Sequence, residues 1–269
     1  MDIQYLNLSY RASEREHAYG ANVHILGHPY MMSLLARLCA KETIQPLASQ
    51  LLHAIYDDLL AAVINAEFPR RVATVPSRMS AYHKEGIYCG EVLDPETKVI
   101  SVAIARAGLV PSHLVYDALN FILNPALVRQ DHIFMNRRVE AGRVVGVDLS
   151  GSKIGGPVED SIVLVPDPMG ATGSSMIETV GFYKRLSIHP PRKFVAMHLI
   201  VTPEYVRAVR KAHPDVAIYA ARLDRGLSPE EVLQTVPGTQ WDRERGLNDH
   251  DYIVPGGGGF GEVLNNALT

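Results

Sequence analysis

The stretch "DPMGATGSS", residues 167–175, sets a carboxylate ahead of two glycines and three hydroxyl side chains. The apolar run "SIVLVP" before it reads as a buried strand, and "SSMIETVGFYKRL" after it reads as a helix. A helix beginning near Ser174 leaves its first backbone N–H groups unpaired, and its dipole adds partial positive charge there. Gly170 and Gly173 permit backbone torsions that turn successive N–H groups toward one anion. Thr172, Ser174 and Ser175 add hydroxyl donors. Together these features make a cup for a phosphate monoester. Asp167 has no place in an anion cup as such, because a carboxylate repels phosphate. It suits sugar hydroxyls, or the water shell of a magnesium ion beside the phosphate. The competing account is a plain strand-to-helix turn with serine as N-cap. A Walker loop is excluded, since no Gly-Lys-Ser/Thr follows.

Two other segments carry chemistry. Arg106 follows the strand-like "KVISVAIA" and precedes Ala107 and Gly108. A guanidinium there can clamp diphosphate oxygens bidentately, although a surface salt bridge would use the same residue. Arg137 and Arg138, after "HIFMN", add positive charge. "GGGGFG", residues 256–261, matches the dinucleotide fingerprint only formally, because no βαβ unit is built around it. It reads better as bare backbone wrapping a flat ligand, with a disordered glycine tail as the alternative. Eleven histidines include His24 and His28, four apart, and His250 between Asp249 and Asp251. They read as core or surface residues rather than a dedicated metal site.

The elements that position these residues follow from periodicity. Ile44, Leu47, Leu51, Ile55, Leu59 and Val63 make one apolar stripe, predicting a helix over 44–64. A shorter helix over about 30–40 follows His28-Pro29, and Pro69 and Pro76 punctuate a loop-rich section. From 98 onward buried strands alternate with helices. The strands are "KVISVAIA", "HIFMN", "RVVGVDL", "SIVLVP", "KFVAMHLIV" and "VAIYAA"; the helices begin near Pro111, Ser174 and Pro203. The pattern predicts an α/β protein with a mostly parallel, twisted sheet flanked by helices. Ligands in such sheets sit beyond the carboxyl ends of the strands, where the 167–175 loop falls. One domain over 1–269 is expected: an N-terminal helical segment (1–70), an α/β core (98–222) and a loop-rich region (223–269). Within that last region "DRGLS" at 224 is echoed by "ERGLN" at 244.

Composition removes several classes of function. A net charge of −3 offers no basic surface for nucleic acid. No apolar run is expected to reach the length that crosses a bilayer, and the first twenty residues lack the apolar core of a signal peptide. Cys39 and Cys89 read as reduced thiols of a cytoplasmic protein, not as a disulfide framework or zinc site.

Apolar strand followed by "DPMGATGSS" resembles the phosphoribosyl diphosphate (PRPP) motif of type I phosphoribosyltransferases, and uracil phosphoribosyltransferase in particular. "HPYMMSLL" at 28, "ARAGL" at 105, "AHPDVAIYAARLDRGL" and "LNDHDYIVPGGGGFGE" resemble further segments of that family, so the likeness runs over roughly 28–262. The resemblance implies transfer of 5-phosphoribosyl from PRPP to uracil, giving UMP and diphosphate, with magnesium arriving on PRPP. It implies that Arg106, Ala107, Gly108, Arg137, the loop from Asp167 through Pro168, Met169, Gly170, Ala171, Thr172, Gly173, Ser174 and Ser175, and Glu262 hold PRPP. Asp167, Arg106 and Glu262 would be the catalytic groups. Tyr252, Ile253, Gly259, Phe260 and Gly261 would line the uracil site under a C-terminal hood, with backbone groups of Ile253 and Gly261 reading the base. A homodimer or higher homo-oligomer is expected, with the long N-terminal helices as a candidate interface.

The sequence departs from the family pattern at four places. Gly170 stands where leucine is usual, and an extra stretch separates "LDRGL" from "LNDHDY" over about 227–245. The acidic run after Arg137 is missing, and early basic positions read Cys39 and Ser49. Two alternatives therefore stay open: a transferase for another base, and a PRPP-sensing regulatory protein without turnover.

Overall fold

A computed structural model describes residues 3–140, 143–186 and 189–267, with side chains over 4–136, 146–186 and 189–267. The chain enters through a short strand, β1 (Val23–Ile25), and two helices, α1 (Pro29–Leu38) and α2 (Leu47–Glu67). Pro29 takes the first helical position of α1, and His28 caps it, accepting from Met31 N at 3.4 Å. Of the expected stripe, Leu51, Ile55, Leu59 and Val63 are buried on α2, with Leu52 and Tyr56 beside them; Leu47, the first helical residue, is exposed, and Ile44 is exposed and precedes the helix. At 21 residues and mean hydropathy 1.3, α2 has the length and apolarity to cross a bilayer, which corrects the expectation that no run does. Its stripe packs into the core instead.

The section punctuated by Pro69 and Pro76 is not loop. β2 (Arg70–Pro76) and β3 (Ile87–Leu93) form a two-stranded antiparallel ribbon. Val72, Val75, Ile87 and Tyr88 are exposed on it. β2 buries none of its residues and β3 buries only Gly90, so no period-two pattern marks these strands, and Pro76 sits at the ribbon's end, where a missing N–H is tolerated.

The alternating part follows as predicted. It runs β4 (Val99–Ala105), α3 (Leu109–Ile122), β5 (Val128–Glu140), β6 (Arg143–Lys153), β7 (Ile162–Pro166), β8 (Met169–Gly170) and α4 (Ser174–Leu186). β9 (Lys193–Val201), α5 (Pro203–Ala212) and β10 (Ala217–Leu223) complete it. Among the described residues one sheet takes eight strands in the order β1-β10-β9-β7-β4-β5-β6, with β8 beside β9. All pairs are parallel except β5 with β6. Strand residues alternate between two cores. Leu164, Val195, Met197 and Tyr219 pack with α1, α2 and α3; Val163, Val165, Ala196 and Ile218 pack with α4 and α5. Burial on both faces explains why these strands read as continuous apolar runs.

The carboxyl-terminal part carries two short helices, α6 (Glu230–Leu233) and α7 (Phe260–Val263). The echoed segments lie side by side: Leu227 N donates to Arg245 O at 3.0 Å, and Arg245 N to Ser228 Oγ at 2.8 Å. They close the neck of the extra stretch. Buried Glu244 accepts from Arg225 and from Gly238 N, each at 2.8 Å, and from the Tyr19 hydroxyl. Trp241 packs edge-on against Tyr19 and donates to Pro203 O at 3.1 Å. Glu244→Ala would leave Arg225 buried without its counter-charge. It is expected to destabilise the protein by about 3–5 kcal/mol, read as a lower urea midpoint at unchanged slope.

Candidate active site

β4 and β7 are parallel neighbours. The chain leaves them in opposite directions, from β4 through α3 to β5 and from β7 through α4 to β9. A switch point of this kind opens a crevice at the carboxyl ends of the strands. A cleft of about 680 Å³ lies there. Arg106 and Ala107 line it from the β4 end; Asp167, Met169 and residues Ala171, Thr172, Gly173, Ser174 and Ser175 line it from the β7 end. Tyr252, Ile253, Gly259, Phe260, Gly261 and Glu262 close the third side. Gly108, Pro168 and Gly170 lie behind this lining. Arg137 is on β5 opposite Val147, and its side chain lies outside the described residues.

The loop after β7 is laced to the end of β9. Asp167 N donates to Met197 O at 3.0 Å, and Leu199 and Ile200 N–H groups reach Pro168 O at 3.0 and 3.1 Å. Thr202 N donates to Gly170 O at 3.1 Å, and its hydroxyl to Ala171 O at 2.7 Å. The carbonyl of Asp167 takes a 2.6 Å contact from His198 Nδ1. These bonds tie the loop to β9 and Thr202 through four carbonyls and one amide, and the loop then runs along the cleft into α4. Gly173 adopts a φ of +87°, which supplies the turn into the helix. The Thr172 and Ser174 hydroxyls meet at 3.1 Å beside the first turn of α4. Gly170 does not play the torsional part assigned to it above: it belongs to β8 and has no positive φ.

Across the cleft, Arg106 Nη2 lies 3.3 Å from Glu262 Oε1, both side chains partly exposed. The turn below Arg106 is tight, and a Cβ on Gly108 would lie 2.8 Å from Ile104 O. The glycine segment is held from behind by a charged fork. Arg222 donates to Asp224 at 2.6 and 2.8 Å and to Gly256 O at 2.9 Å, while Gly256 N donates to Asp224 at 2.8 Å. Glu204 accepts from Gly246 N at 3.0 Å and from Leu247 N at 3.3 Å. Ile253 pairs with Leu247 in an antiparallel bridge whose hydrogen bonds run between the flanking residues, Val254 N to Gly246 O and Asn248 N to Tyr252 O. Ile253 therefore turns its own N–H and C=O away from Leu247. Among the described residues no cluster of three or more His, Cys, Asp or Glu side chains is grouped to hold a metal ion.

This cleft, its loops and its strand order can be set beside known proteins. The family model described as uracil phosphoribosyltransferase matches residues 25–243, which include β4, the Arg106 turn and the whole loop after β7. This chain belongs to the uracil phosphoribosyltransferase family. The uracil phosphoribosyltransferase of Polaromonas naphthalenivorans is 28% identical over 244 residues, covering 91% of this chain and 98% of that protein. The one from Dictyoglomus thermophilum is 31% identical over 242 residues, covering 90% and 98%. Among solved structures, the AQ2163 protein of Aquifex aeolicus shares the fold, with a TM-score of 0.68, 20% identity, and coverage of 90% of this chain and 97% of that one.

Within the family frame, several residues around the cleft escaped sequence reasoning. Asp224 lies inside the quoted "LDRGL", so its signal was present without a role; the fork to Gly256 supplies one. Arg222, Glu204, Thr202 and His198 act through backbone contacts made only in three dimensions, and no spacing announces them. Cys39, where a basic residue was expected, sits behind the glycine segment: a Cβ on Gly257 would lie 2.8 Å from its sulfur. Burial pushes its thiol up. Of the histidines singled out, His24 pairs with Glu14 at 2.9 Å and His28 with Asp58 at 2.8 Å. Among the described residues none of the extra stretch over 227–245 lines the cleft.

His198 is fully buried, and burial pulls its imidazole down to about 4, against the opposing pull of the Asp167 carbonyl. The unfolded imidazole titrates near 6.5. Above that pH neither state holds the proton. Between about 6.5 and 4 the unfolded chain gains it and the folded chain does not. Stability is thus complete above this window and falls as pH drops through it, by on the order of 3 kcal/mol. Urea midpoints between pH 7.5 and 4.5 should show this decline, and His198→Asn should flatten it by that share. Parallel profiles for the two proteins would remove the assignment.

Proposed function

We propose that this protein is a uracil phosphoribosyltransferase, joining uracil to the phosphoribosyl group of PRPP and releasing UMP and diphosphate. The reading is carried by one observation: Arg106 and the loop from Asp167 to Ser175 face each other across the β4/β7 switch point, under a glycine-rich segment that presents backbone. In this reading the whole chain acts as one transferase domain, with 223–269 as its base-binding region.

The 5′-phosphate sits against the first turn of α4, with Thr172, Ser174 and Ser175 as hydroxyl donors. Asp167 meets the ribose hydroxyls. Arg106 clamps the diphosphate, with Ala107 and Gly108 keeping the turn close, and Arg137 adds charge from β5. Uracil lies against Tyr252, Ile253, Gly259, Phe260 and Gly261, whose exposed backbone suits its alternating carbonyl and N–H groups. A bond forms between the base nitrogen and C1 of the ribose as the C1–O bond to diphosphate breaks. The electron pair leaves with diphosphate, positive charge develops on the ribose, and the base nitrogen gives up its proton, which the released diphosphate takes up. Arg106 stabilises the leaving charge, and the closed cleft keeps water from C1. Asp167 and Glu262 are separate carboxylates on opposite walls. They fit a cation carried in on the substrate and shared with its oxygens, not a cage made of protein alone. Magnesium so carried supplies charge neutralisation on the diphosphate.

The stretch over 227–245 contributes no residue to the cleft lining among the described residues, so it gives no ground for preferring another base. Self-association into a homodimer or larger homo-oligomer, in the cytoplasm, belongs to the same proposal. Its support comes from the exposed Val72, Val75, Met79, Tyr82 and Ile87 on and beside the β2–β3 ribbon, rather than from the N-terminal helices.

Diphosphate release from PRPP and magnesium should depend on uracil and be matched by UMP. Release with a different base would reassign the base, and PRPP binding without release on any base would favour a sensor. Asp167→Asn is expected to lower kcat/KM for PRPP about ten- to a hundredfold, with an unchanged circular dichroism spectrum. Unaltered turnover in that variant would remove the role given to Asp167.

A further inference from the structure

Gly170, where the family's usual residue is leucine, lies against the first turn of α5. A Cβ at 170 would sit 2.9 Å from Val201 Cγ1, and 3.0 and 3.1 Å from Cδ2 and Cγ of the Tyr205 ring. The Tyr205 ring therefore occupies the space a side chain at 170 would need. Tyr205 is buried, yet it also lines the cleft behind Asp167. Its hydroxyl lies 2.5 Å from His198 Nε2, and His198 Nδ1 lies 2.6 Å from the carbonyl oxygen of Asp167.

The direction of these bonds follows from the groups. A carbonyl only accepts, so Nδ1 carries the imidazole proton. A neutral imidazole has one proton, so Nε2 accepts from the tyrosine O–H. The chain of donors runs one way, from Tyr205 to His198 to Asp167. Neither side chain leaves room for water to substitute, since both are buried.

We propose that Tyr205 and His198 are positioning residues for Asp167, and that residue 170 is glycine to admit them. Holding the Asp167 carbonyl fixes the peptide that follows the carboxylate, and with it the aim of the carboxylate into the cleft. The proposal rests on the reading that Asp167 meets the ribose of PRPP. The glycine segment on the base side is held by the side chains of Arg222 and Asp224, which bond to each other and to Gly256 and not to Tyr205 or His198. Loss of the Tyr205 hydroxyl should therefore weaken PRPP and spare the base.

The test uses calorimetric binding of PRPP with magnesium, and the KM of PRPP and of uracil, on the full chain. Tyr205→Phe is expected to raise the Kd for PRPP about fivefold, the factor that one hydrogen bond commands, while the uracil KM stays within about twofold. His198→Asn keeps a donor near the Nδ1 position and should bind PRPP better than His198→Ala. Gly170→Ala should weaken PRPP binding in the native background and less in a Tyr205→Ala background, because the added methyl group then still meets Val201 Cγ1 but no ring. A Tyr205→Phe protein that melts lower but binds PRPP as the native protein does would overturn the positioning role and leave the proposed function standing. Equal losses for PRPP and uracil would overturn it too. A native protein that does not bind PRPP would overturn the functional reading itself.

Discussion

The loop after β7 hangs from the end of a parallel strand and must find partners for its own backbone groups. The lacing of residues 167–171 onto the end of β9 meets this constraint. Five successive residues place backbone groups on Met197, His198, Leu199, Ile200, Val201 and Thr202. The carbonyls of Asp167, Pro168, Gly170 and Ala171 and the amide of Asp167 are satisfied by β9 and Thr202, and Thr172, Ser174 and Ser175 line the cleft. Without that lacing, a run of small residues between a strand and a helix would be a mobile turn, and its N–H groups would not converge.

The same device recurs on the other wall with charge in place of strand edge. Asp224 and Arg222 each bond to both their partner and Gly256, so a backbone with no side chains to pack is gripped through its peptide groups. Glu204 does this for Gly246 and Leu247. Glycine loses more conformational freedom on ordering than any other residue, and buried charge-assisted hydrogen bonds are strong enough to offset that loss. The Arg106–Glu262 pair then spans the gap between the two walls.

The stretch over 227–245 lies outside the cleft lining. Its ends meet at the neck formed by Leu227, Ser228 and Arg245, and its body leans on Tyr19 and the start of α5. A loop closed at its base adds little entropy cost per residue. The nineteen residues over 227–245 form an outlying structure anchored by one buried acid, Glu244.

What the sequence by itself determined is the set of elements buried on both faces and the chemistry at their ends. The runs around Val99–Ala105, Ile162–Pro166 and Lys193–Val201 are apolar throughout because both faces of the sheet are covered, so they are legible without a partner in view. Asp167, Thr172, Gly173 and Arg106 announce themselves by type and spacing within a few residues. The β2–β3 ribbon was illegible because it buries only Gly90 and carries no alternation. The short β1 is specified by its place at the sheet edge beside β10 and not by its three residues. Only the tertiary structure decided what Gly170 is for. Its reason is a ring 35 positions later in the chain, and a steric exclusion between distant residues leaves no periodicity in either segment. The same holds for His198, whose partners are a backbone carbonyl and a tyrosine brought together by the crossover from β7 through α4 to β9 and α5.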